Sequence, residues 1–131
     1  MEDNFTLQII SPEKILFSES VKMVSVPSYE GDMSILKNHI SIISFLRPGK
    51  VKIKKNDESL EEFFLDDGTI EFVEDNLIIL SSSAINLKTI SKEFLDNLLK
   101  ITQDSLNNQD ITDHDRYILN HKLDALKEVR V

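Results

Sequence analysis

The chain has 131 residues, enough for one domain or one small domain with an appendage, so a large multi-domain enzyme is excluded. Its 40% hydrophobic and 29% charged residues, with 3 Gly and 3 Pro, give globular composition, and the 0 Cys remove disulfide frameworks, thiolate nucleophiles and Cys-based zinc sites. A net charge of -8 argues against nucleic acid and anionic lipid as partners. The acidity is uneven: up to residue 84 there are 8 basic against 15 acidic side chains, and beyond it 7 against 8. No apolar run approaches the ~20 residues of a membrane-spanning helix. The polar start Met1-Glu2-Asp3-Asn4 is unlike a secretory or transit signal, so a soluble cytoplasmic product is expected.

From Phe5 to about Ala84 short apolar-polar alternation is interrupted by Pro, Gly or Asn/Asp pairs, which predicts antiparallel strands and hairpins. Phe5, Leu7 and Ile9 mark the first strand, Ile15 and Phe17 a second, and Val21 with Met23 to Val26 a third. The third ends at Pro27, where the missing N–H predicts a change of sheet pairing. Tyr29-Glu30-Gly31-Asp32 reads as a turn. Further strands are expected over Met33 to Leu36, Ile40 to Leu46, Val51 to Lys55, Leu60 to Leu65, Thr69 to Val73 and Leu77 to Ser82, separated by turn residues. Such spacing suits a two-sheet sandwich.

After Ala84 the period changes. Leu95, Leu98, Leu99, Thr102 and Leu106 recur at helical steps behind Ser91, a plausible N-cap, with Glu93 near the positive end of the helix dipole and Asn107-Asn108 as a stop. A second helix follows Thr112-Asp113-His114-Asp115, which has the form of a capping box, with Leu119, Leu123 and Leu126 in its stripe. The short link predicts antiparallel packing. The fold class is therefore α+β: an N-terminal antiparallel β-sandwich over residues 1–84, then a helical hairpin over 85–131. Ser81 to Thr89 is the natural hinge.

The residues show no catalytic constellation. Gly31, Gly49 and Gly68 are isolated, so there is neither a dinucleotide fingerprint nor a Walker loop. His114 and His121 stand seven apart, long for chelating one ion, and with Asp110 or Asp113 they read as exposed helix-face residues rather than a metal site. Asp57, Glu58, Glu61, Glu62, Asp66 and Asp67 read as solvated hairpin tips and a strand edge, Lys50, Lys52 and Lys54 as the solvent face of a strand, and Ser81-Ser82-Ser83 as a strand ending without a base. No cofactor, metal or catalytic residue is expected. A free-standing sandwich that binds a small ligand under a hairpin lid is the alternative reading.

Several stretches together resemble one family: Leu7-Gln8-Ile9-Ile10-Ser11-Pro12-Glu13, Leu16-Phe17-Ser18, Val26-Pro27-Ser28-Tyr29-Glu30-Gly31-Asp32-Met33-Ser34-Ile35-Leu36-Lys37-Asn38-His39 and Leu46-Arg47-Pro48-Gly49-Lys50-Val51. Their order and spacing are similar to those of the epsilon subunit of F-type ATP synthase. The sequence departs from the family at Lys37-Asn38, where a Pro-Gly pair is usual, at Ser34 and at Asp67. Asn38 is expected to take the left-handed backbone that Gly would supply.

The resemblance implies a non-catalytic rotor part that couples the gamma subunit to the c-ring, at the cytoplasmic face of a bacterial inner membrane and without inserting into lipid. It implies that Glu30, Gly31 and Asp32 face the c-ring, and that Ser11 and His39 face gamma. It also implies a hairpin that either folds on the sandwich or extends towards the alpha/beta catalytic head, where Arg116, Lys122, Lys127 and Arg130 would meet acidic groups and inhibit hydrolysis. Some members bind ATP through an Ile-Asp-x-x-Arg-Ala motif. Here the matching stretch is Ile90-Ser91-Lys92-Glu93-Phe94-Leu95, which lacks the acid and the cation, so no strong ATP binding is expected.

Overall fold

A computed structural model describes residues 3–129. Nine strands precede two helices: β1 (Phe5–Ile10), β2 (Ile15–Ser28), β3 (Gly31–Leu36), β4 (Ile42–Leu46), β5 (Gly49–Lys55), β6 (Leu60–Leu65), β7 (Gly68–Val73), β8 (Asn76–Leu80), β9 (Ala84–Asn86), α1 (Lys92–Leu106) and α2 (Asp113–Lys127). One layer follows the pairing β4–β7–β8–β1 and closes on the first half of β2. The other runs from β3 through the second half of β2 to β5, β6 and β9.

The stretch expected to hold two strands, around Phe17 and around Val24, is one strand of 14 residues. An extra residue at Lys22, between the pairs Val21↔Lys55 and Met23↔Lys54, makes a bulge. It moves the inward set from Phe17 and Val21 to Val24 and Val26, which lets one strand line the core in both layers. Pro27 lies inside this strand, and pairing changes around it as its missing N–H requires. The ladder with β5 ends at Ser25, and beyond it Ser28 pairs with Leu46. The sheet is antiparallel with one exception among the described residues, β1 beside β8. A parallel pair needs a long crossover, and nearly the whole sandwich is inserted between these two strands.

The core between the layers is apolar, with Leu7, Ile9, Val21, Val24, Ile35, Ile53, Leu65, Phe72, Leu77 and Ile79 sealed from solvent. Phe5 packs edge-on against Phe72, as Phe17 does against Phe63. Gly49 is required by close approach. A Cβ there would stand 2.8 Å from Pro27 Cβ, and a proline ring in a strand has nowhere to move. Gly49→Ala is expected to cost about 1–3 kcal/mol, read as a lower denaturation midpoint with unchanged m-value.

A second, smaller core joins the sandwich to the helices. Along β6, Phe63 and Leu65 point inward while Phe64 points outward, and all three are buried. Phe64 packs with Ile90, Leu95 and Leu126, flanked by Leu98, Leu99 and Ala125. Ser91 caps α1 by accepting from Phe94 N, and Thr112 caps α2 by accepting from Asp115 N. Thr102, buried on the stripe of α1, satisfies its hydroxyl by donating to Leu98 O at 2.8 Å. The stretch expected to be the hinge holds β9, which pairs with β6 and prolongs the second layer before the chain turns into α1.

Candidate functional site

Side chains alternate across a strand, so the residues opposite the core of the first layer form a second face. Two rows cross it in register: Ile43, Glu71, Ile78 and Gln8, then Phe45, Thr69, Leu80 and Ile10. Nothing among the described residues covers this face. Ile43 is 74% exposed and Phe45 67%. Ile40, just before β4, is similarly bare, and Leu80 is half-exposed. A contiguous apolar surface of this kind marks an interaction site rather than a solvated face. It deepens into an open groove lined by Ile10, Ser11, Tyr29, Phe45, Leu46 and Leu80 among others.

Ser11 and His39 flank these rows in the chain, after β1 and before β4 respectively. Ser11 follows Ile10 at the end of the second row, and its N–H donates to Lys14 O at 2.9 Å. His39 precedes β4, with its N–H on Leu36 O at 3.1 Å, Nδ1 2.7 Å from Ile40 O, and its ring edge-on to Phe72. Asn38 takes the left-handed conformation expected of it, φ 67°, and its N–H donates to Asp75 Oδ1 at 2.8 Å.

Tyr29 and Glu30 are the two loop residues of the β2–β3 hairpin. Ser28 Oγ donates to Gly31 O at 2.6 Å and accepts from Glu30 N at 3.3 Å, while Gly31 has φ 124°, a conformation L-residues avoid. Glu30 and Asp32 are exposed, and Asp32 lies 3.6 Å from Arg47 Nη2. Because Tyr29 and Glu30 also line the groove beside Ser11, the two surfaces expected from the sequence adjoin at one end of the sandwich.

The hairpin cations have different surroundings. Arg116 Nη1 donates to Leu106 O at 3.4 Å and so ties the two helices. Lys122 Nζ stands 2.7 Å from Asp66 Oδ1, an ion pair off the hydrogen-bonding direction, which brings α2 onto the β6–β7 turn. Lys127 is exposed in the last turn of α2, and Arg130 lies outside the described residues. His114 is exposed as expected. His121 is not: it is half-buried against Tyr117 and Arg47. Among the described residues no three His, Asp or Glu side chains converge as metal ligands. The shifted groups lie away from these surfaces. Glu58 is held below the usual carboxylate range by its hydrogen bond to Lys22 and then by Lys54, and Lys55 is held above its usual value chiefly by its hydrogen bond to Glu19.

Residues 4–87 match the family model of the ATP synthase delta/epsilon chain β-sandwich domain. The chain belongs to this family. It is 44% identical to the ATP synthase epsilon chain of Pelagibacter ubique, over 97% of this chain and 98% of that one. To the epsilon chain of Parvibaculum lavamentivorans it is 30% identical, over 99% and 98%. Among solved structures the fold is similar to a chain of the Euglena gracilis mitochondrial ATP synthase OSCP/F1/c-ring assembly, with TM-score 0.74 and 17% identity over 95% of this chain and 78% of that one. It is also similar to a chain of the Tetrahymena thermophila mitochondrial ATP synthase central stalk and c-ring, with TM-score 0.63 and 14% identity over 94% and 93%. An ATP synthase epsilon chain is a non-catalytic subunit of the central stalk, and among the described residues no helix is long and apolar enough to cross a membrane.

Several residues of these surfaces carry little signal in the sequence. Ile43, Phe45 and Leu80 look like core residues of alternating strands, and only the layer on which they fall makes them a surface. Nothing in the pattern around Tyr117 or Arg47 indicates their partners Tyr29 and His121, which are far along the chain.

Proposed function

We propose that this epsilon chain binds the gamma subunit with the outer face of its first layer and meets the c-ring with the β2–β3 turn, so that torque passes between gamma and ring through the sandwich. The observation that supports this most is the apolar face of Ile40, Ile43, Phe45 and Leu80, which nothing among the described residues covers. A rotor contact has to hold while the ring turns, and apolar burial provides that grip without depending on ionic strength. Glu30 and Asp32 suit a polar partner carrying cations, and protein contacts of this kind hold an acidic sandwich at the cytoplasmic face of a bacterial inner membrane, where anionic headgroups repel it.

The hairpin is a two-state element in this reading. Docked, it buries Phe64 and engages Lys122 with Asp66. Extended, it frees Lys122 to join Arg116, Lys127 and Arg130 against acidic groups of the alpha/beta head and blocks hydrolysis.

Co-expression with the cognate gamma subunit, followed by size-exclusion chromatography, tests the assignment of the face. A complex is expected for the wild-type chain and for Asp32→Lys, and a weakened one for His39→Asp. Failure of the wild-type chain to bind a folded gamma subunit would overturn it.

A further inference from the structure

Tyr117 and His121 stand four residues apart on α2, so both rings lie on one side of the helix, and that side meets the β2–β3 turn. Tyr117 is stacked on Tyr29, with centroids 6.2 Å apart and 11° between planes. His121 meets the Tyr117 ring edge-on at 4.4 Å. Arg47 completes the cluster from the β4–β5 connection: Nη1 donates to Ser28 O at 3.0 Å, Nη2 lies 3.6 Å from Asp32 Oδ1, and Nε donates to His121 Nδ1 at 3.4 Å. One guanidinium thus hydrogen-bonds β2, pairs with Asp32 on β3, and reaches a helix residue 74 positions along the chain. A guanidinium is a rigid fork, so a change at one of its partners is felt at the others.

This cluster differs from the Phe64 core, which is sealed. Tyr29 and Tyr117 are each about two-fifths exposed, and the Asp32 side chain is 76% exposed. A partner covering the turn therefore reaches them directly. A cation that takes Asp32 competes with Arg47, and a surface laid over Tyr29 competes with Tyr117.

We infer that Tyr29, Tyr117, Arg47 and His121 form a latch that couples the turn to the hairpin: a partner that presents cations to Glu30 and Asp32 and covers Tyr29 loosens α2, and release of α2 frees the turn for that partner. The coupling is equal in both directions by linkage. Naming the c-ring as that partner rests on the reading given above, whereas the latch belongs to the chain by itself.

Amide hydrogen exchange of the full chain tests the latch. Tyr29→Ala changes a residue outside the helical hairpin, yet it is expected to speed exchange along α2 about two- to tenfold, the range of one aromatic pair. Tyr29→Phe keeps the ring and is expected to restore the wild-type rate. Unchanged α2 exchange in Tyr29→Ala would overturn the latch. Purified cognate c-ring in detergent, added to the wild-type chain, is expected to protect the turn and to speed α2 exchange by a similar factor. Protection of the turn with unchanged α2 would overturn the coupling. No protection of the turn would overturn the c-ring reading and release by that partner, while the two variants still decide the latch.

Discussion

Phe45→Asp is expected to weaken the complex with gamma about 30-fold or more while leaving the isolated chain as stable as the wild type. Phe45 is 67% exposed and contributes little to the fold. On the proposed face it stands beside Thr69, in the row that leads through Leu80 to Ile10 and Ser11. An aromatic side chain buried near the centre of an interface typically accounts for 2 kcal/mol or more, and a carboxylate there adds the cost of desolvating an unpaired charge. Titration of gamma by calorimetry measures the loss, and thermal denaturation of the free variant separates it from misfolding. Binding within threefold of wild type would move the gamma contact to another face. Because the core beneath is formed by Leu46, Ile70 and Phe72, a change in stability is not expected to accompany the loss.

The second large effect is expected at Phe64. Its ring is the sandwich's contribution to the core shared with the helices, packed with Ile90, Leu95 and Leu126. Phe64→Ala removes a buried aromatic side chain, a change that costs about 3–5 kcal/mol in a well-packed site. The loss falls on hairpin docking, because Phe63 and Leu65 continue to fill the space between the layers. Amide exchange in α1 and α2 is expected to accelerate by about two orders of magnitude or more, with protection in β1, β7 and β8 retained. On the proposed two-state reading the undocked hairpin reaches the catalytic head of the assembled enzyme, so hydrolysis is expected to fall. Truncation after Leu87, which spares β9, is expected to raise it. Equal hydrolysis in wild type, Phe64→Ala and the truncation would remove the inhibitory role.

Much of this was legible locally. A strand with one buried face announces itself by alternation, and a helix by its stripe and its caps, because these patterns are written within a few residues of one another. Ser91 and Thr112 therefore mark the helix starts correctly, and Tyr29-Glu30-Gly31-Asp32 marks the turn, since Gly31 needs a backbone that only glycine takes easily. Family resemblance, carried by the stretches from Leu7 to Glu13 and from Val26 to His39, drew attention to Ser11 and His39 without indicating that Ile43, Phe45 and Leu80 form an exposed face.

What the sequence by itself determined is the succession of a strand-rich part and two helices, the two helix caps, the acidic sandwich and the family. The tertiary structure alone decided how those elements divide their faces. β9 is three residues long and has no pattern of its own, so it exists through its ladder with β6. The bulge at Lys22 and the parallel pairing of β1 with β8 answer to partners on other strands. The run Phe63-Phe64-Leu65 looks the same in either orientation until the hairpin packs on it and gives Phe64 a second core to fill. His121, which the sequence pattern places on an exposed helix face, is held by an arginine 74 residues earlier. Short-range periodicity encodes which face of an element is apolar, but what covers that face depends on contacts between distant parts of the chain, and those are fixed only when the layers close.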